Sequence, residues 1–119
     1  MLFADKSTKI AQYIQKKNSA KLVLLLKDSK PEIRMQAIKA LGSVGDDKAI
    51  NALITLLADP DKNVRLEAIK SMGSTGNQTV RSHLQHLIQI EPDETLKQAI
   101  RDAIAKIPNK DYAQVKTIV

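Results

Sequence analysis

The chain has no cysteine and no tryptophan, and its only aromatic residues are Phe3, Tyr13 and Tyr112. Without cysteine there is no disulfide framework, no thiolate chemistry and no thiolate ligand for a metal. Without aromatic side chains set between the charges, base stacking on single-stranded nucleic acid has little to work with. No window approaches the ~18 consecutive apolar residues that a membrane span requires. The opening run Met1-Leu2-Phe3-Ala4-Asp5-Lys6 lacks the apolar core of a signal peptide. These absences point to a cytoplasmic protein without a membrane partner. At 119 residues it is one domain, or a piece of a longer array.

The net charge is +6, which suggests phosphate binding until its distribution is read. Residues 1–18 carry four lysines against Asp5, and residues 19–46 carry five basic against three acidic groups. Residues 47–77 and 78–108 each balance four basic with four acidic groups. A groove that tracks a phosphate backbone carries its charge continuously. Here the excess gathers at one end, which argues against nucleic acid as the main partner.

What the chain does have is a repeat. Ala37-Ile38, Ala68-Ile69 and Ala99-Ile100 recur at an interval of 31 residues. Ile33-Arg34-Met35-Gln36-Ala37-Ile38-Lys39-Ala40-Leu41-Gly42 aligns with Val64-Arg65-Leu66-Glu67-Ala68-Ile69-Lys70-Ser71-Met72-Gly73. A period of this length marks a solenoid, in which each unit covers its neighbour's apolar face. The predicted fold is therefore all-α: three helix-pair repeats over residues 19–46, 47–77 and 78–108. A capping helix is expected within residues 1–18 and another within 109–119.

Each repeat reads as helix A, a break and helix B. In the second copy Asp46 can accept bonds from the free amides of helix A, which runs from about Asp47 to Ala58. Asp59-Pro60-Asp61 breaks that helix, because Pro60 offers no amide and disfavours the helical state at Asp59. Helix B follows from about Lys62 to Met72, with Val64, Ala68, Ile69 and Met72 on one stripe. Gly73 is placed to end it, and Gly42-Ser43-Val44-Gly45 and Gly73-Ser74-Thr75-Gly76 read as the turns between units. In the third copy Ile104 and Ile107 replace the glycines, which marks it as the last full repeat.

The unit resembles a HEAT repeat, most closely the short bacterial and archaeal form also found in phycobilin lyases. The residues that carry the likeness are Asp28 with Arg34 and Asp59 with Arg65, the apolar residue before each arginine, then Ala-Ile and Gly-x-x-Gly. The resemblance implies a ladder of aspartate–arginine ion pairs between neighbouring units. Ile90 and Leu96 stand at these positions in the third copy, so such a ladder stops after two rungs.

No catalytic constellation is present. His83 and His86 are the only histidines, three residues apart on one helix, and a metal site needs three or four converging ligands. The carboxylates fall at loops and helix starts, where capping explains them. The glycine pairs lack the lysine and spacing of a phosphate-binding loop. The chain is expected to be non-enzymatic and to hold no metal or cofactor.

The surface of the B helices carries the functional expectation. Gln36, Glu67 and Gln98 form one column; Lys39, Lys70 and Arg101 form an adjacent one of constant sign. Met35 and Leu66, with Lys97 third, offer two apolar side chains beside them. In HEAT stacks the B helices line the concave side. The expected function is capture of an acidic, partly apolar protein partner on this ridge. The alternatives are phosphate-backbone binding and a subunit akin to bilin lyases. The chain itself is expected to be a monomer, or a weak homodimer joined through the solenoid ends.

Overall fold

The computed structural model describes residues 5–109, over which seven α-helices follow one another. They are α1 (Lys6–Gln15), α2 (Ser19–Leu25), α3 (Pro31–Val44), α4 (Asp47–Leu56), α5 (Lys62–Ser74), α6 (Gln78–Ile90) and α7 (Glu94–Lys106). No strand occurs among the described residues. Helices α2–α3, α4–α5 and α6–α7 are the three repeats. The helix expected near residues 111–119 lies outside the described residues.

Local chemistry sets these boundaries. Asp46 caps α4 by accepting the Ala49 amide at 2.9 Å, Asp61 caps α5 through the Asn63 amide at 2.8 Å, and Asn77 caps α6 through the Thr79 amide at 2.8 Å. Pro31 opens α3, at a position where no amide is needed. Asp46 also links two repeats. Its other carboxylate oxygen accepts a 2.9 Å bond from the buried Ser19 hydroxyl, tying the start of α2 to the next unit.

The helices form two layers. The three B helices α3, α5 and α7 pack side by side, and α1 continues their row against α3. The N-terminal helix thus takes the place of a B helix that precedes the first pair. Helices α2 and α4 pack on each other and on their own B helices, while α6 lies on α7. Ala37, Ala68 and Ala99 are all buried, as are Ile38, Ile69 and Ile100. One core of aliphatic side chains runs from Ile10 in α1 to Ile107 behind α7.

The glycines divide into two kinds. Gly45 (φ 64°) and Gly76 (φ 66°) are left-handed and turn the chain between repeats, a conformation that costs a side chain roughly 1–2 kcal/mol. Gly42 and Gly73 instead lie inside α3 and α5, so the expectation that they belong to the turns is corrected. Helix α5 continues to Ser74, and its left-handed residue is Gly76. A Cβ on Gly42 would come within 2.6 Å of the Ser71 carbonyl oxygen of α5; one on Gly73 would come within 2.8 Å of the Ala103 Cα of α7. Each B helix therefore meets the next backbone to backbone.

This contact makes Gly73→Ala a decisive variant. Alanine favours an isolated helix by about 1 kcal/mol over glycine. Overpacking against an immovable backbone costs typically about 1–3 kcal/mol. The expected outcome is a lower thermal midpoint measured by circular dichroism; a raised midpoint would show that α5 and α7 do not approach this closely.

Candidate functional site

The two arginines that recur in the repeat serve the backbone. Arg34 donates from Nη1 to the main-chain oxygen of Asp28 at 2.6 Å, and Arg65 to the main-chain oxygens of Asp59 at 2.7 Å and Pro60 at 3.1 Å. These bonds stay within one repeat and reach carbonyls, not carboxylates. The implied aspartate–arginine ladder is corrected accordingly. The reason is local: the loop between helices A and B leaves carbonyls without helical partners, and a guanidinium six residues on can reach them. The carboxylates themselves are used elsewhere. Asp59 accepts the Asp61 amide at 2.8 Å, and Asp28 accepts the Lys30 amide at 2.9 Å.

Ion pairs do link successive units, but lysines make them. Lys6, first residue of α1, pairs with Asp28 in the loop before α3. Lys62, first residue of α5, pairs at 2.8 Å with Asp93, the cap of α7. Between these two rungs the first residue of α3 is Pro31, which has no charge to offer. The Lys6 ammonium and the Lys30 amide hold the Asp28 carboxyl below its ordinary range, although its side chain is only 4% exposed. The Lys62 ammonium and the Leu96 amide do the same for Asp93.

Arg81 is the residue that the repeat pattern does not reveal. It projects from α6 and donates to the carbonyls of Ile104 at 2.8 Å and Ile107 at 2.6 Å, closing the C-terminal end of α7. Gln78 of α6 adds a bond to the Pro108 carbonyl. The third repeat has lost its turn glycines, and at the end of α7, where the earlier B helices run on to a left-handed glycine, a guanidinium from the neighbouring helix serves the carbonyls. One signal was available: Arg81 stands where the second repeat has the core residue Ile50.

The expected interaction columns fall on the B-helix layer with unequal exposure. Lys39, Lys70, Gln98 and Arg101 are exposed; Met35, Gln36, Leu66 and Glu67 are half-buried. Met35 and Leu66 pack partly against the core, so they are less available than two free apolar side chains. Gln36 accepts a 2.9 Å bond from Ser7 of α1, which lies against this part of the layer. Lys39 reaches Glu67 of the next repeat at 4.0 Å. Arg101 donates to Gln98 at 3.0 Å, and Gln98 donates to Asp102 at 2.9 Å. Between α5 and α7 the layer opens into a groove of about 500 Å³, lined by Leu66 and Lys70 on one side and by Gln98, Ala99, Asp102 and Lys106 on the other.

A family model of HEAT repeats matches residues 19–105, the span of the three helix pairs. The chain belongs to the HEAT repeat family. The match is to HEAT repeats in general and lends no support to the narrower likeness to phycobilin lyases. No curated protein matches the chain. HEAT repeats commonly act as protein-interaction scaffolds and are typically non-enzymatic. No helix among the described residues is long and apolar enough to cross a membrane, and no group of three or more His, Asp or Glu there could hold a metal. His83 is half-buried and His86 exposed.

Two consequences can be measured. A carboxyl whose value is lowered by folding stabilises the fold above the ordinary aspartate value of 3.8 and loses that contribution as the pH falls through the lowered value. Asp28→Asn should therefore flatten the acid side of a plot of thermal midpoint against pH, leaving Asp93 and Asp5, whose carboxyl the Thr8 amide also holds low, to supply the remaining slope. Arg81→Met should lower unfolding stability by about 1–3 kcal/mol, the range for charged hydrogen bonds lost to part-buried carbonyls. Amide exchange should accelerate at the end of α7 and stay unchanged in α3.

Proposed function

We propose that this HEAT repeat chain binds another protein through the outward face of its B-helix layer. The observation that carries this reading is the column Lys39, Lys70 and Arg101: three exposed cations at one register position on helices that pack side by side. Gln36, Glu67 and Gln98 run beside them, with Met35 and Leu66 supplying half-buried apolar contact. A layer whose helices meet backbone to backbone is rigid, so little ordering is needed on binding. Cations of constant sign steer an acidic partner toward it.

Reversing Lys39, Lys70 and Arg101 to glutamate should remove a defined set of proteins from affinity capture in a lysate of the source cells, read by quantitative mass spectrometry. The control reverses Lys21, Lys27 and Lys48, three lysines of the A-helix side, and imposes the same change in net charge. Equal loss with both baits would reduce the effect to overall charge, and no loss with the first would end the assignment of this face.

A further inference from the structure

Across α3 and α5 the repeat supplies its own counter-charge, because Lys39 reaches Glu67. The same step across α5 and α7 runs from Lys70 to Gln98, since both residues lie 31 positions further on. Gln98 is neutral and its amide is engaged by Asp102 and Arg101. Among the described residues Lys70 makes no ion pair, and neither does Lys106 in the last turn of α7. Both lysines line the groove, with an apolar floor between the helices at Leu66, Ala99 and Ala103. Ala103 stands where α5 carries Met72.

We propose that the groove between α5 and α7 receives an acidic segment of a partner protein, one apolar side chain resting on Leu66, Ala99 and Ala103 while carboxylates meet Lys70 and Lys106. This rests on the reading of the B-helix layer as the interaction face and narrows it to one groove. The segment supplies the carboxylate that Glu67 provides one repeat earlier and Gln98 does not. The groove follows α7 from Thr95 in its first turn to Lys106 in its last. A helix of 13 residues is roughly 20 Å long, so a ligand of about three helical turns spans it.

The test selects a displayed library of random peptides, about three turns long as helices, on the full chain. Enriched peptides should carry Asp or Glu on either side of a large apolar residue. Amide shifts on binding should cluster at Leu66, Lys70, Ala99 and Ala103. Two variants on exposed positions then probe the chemistry. The double reversal Lys70→Glu, Lys106→Glu should weaken the selected peptide at least tenfold. Gln98→Glu exchanges the Gln98–Asp102 bond for a carboxylate at the register position of Glu67, beside the groove, and should weaken it severalfold while circular dichroism shows the helices kept. An empty selection, peptides without carboxylates, or affinity unmoved by both variants would overturn the proposal. Shifts confined to the α3 side would remove this groove and leave the B-helix face standing, whereas shifts on α2, α4 and α6 would remove both.

Discussion

Everything in this fold depends on how closely one B helix can approach the next. At Gly42 and Gly73 there is no space for even a single Cβ, because the backbones at Ser71 and Ala103 already occupy it. That proximity brings Ala37, Ala68 and Ala99 under cover and lets small side chains fill the space between helices. It also fixes the spacing of every residue on the exposed side of the layer. The lysine column is regular because the glycine contact behind it is regular.

The second theme is the treatment of backbone carbonyls at helix ends. Arg34 and Arg65 satisfy those of their own loops, and Arg81 satisfies those at the end of α7 from another helix. A guanidinium suits this role because it is always charged and offers several donors in a fixed plane. In the third repeat, which has no turn glycine, the carbonyls served lie at the far end of helix B and the donor comes from α6. Charge pairing between units is a separate matter, handled by Lys6 and Lys62 at the starts of α1 and α5 and by Lys39 on the exposed side of α3.

Much of this was legible in the residues. The Ala-Ile period located the buried stripe, while the Asp46 cap and the Asp59-Pro60-Asp61 break located helix ends because capping and proline's missing amide are local chemistry. What was misread depended on distances between elements. Gly-x-x-Gly looks like a turn, yet only Gly45 and Gly76 are left-handed; Gly42 and Gly73 are small because of a neighbour about thirty residues away. The resemblance implied an aspartate–arginine ion pair, but the guanidinium finds the nearer carbonyl. The B-row position of α1 was hidden because a step of 31 back from Ala37-Ile38 lands on Lys6-Ser7, and its buried residue is Ile10. Of the interaction columns, register gave the positions, while exposure came from packing that no single helix reveals.

The glycine seam also limits how such an array can be lengthened. In α7 the position that Gly42 and Gly73 occupy holds Ile104. A copied unit added behind α7 would meet a branched side chain where earlier units meet bare backbone. Duplication inside the array, between the first and second units, keeps a glycine at each new junction. Growth by unequal recombination is therefore tolerated in the interior and resisted at that edge.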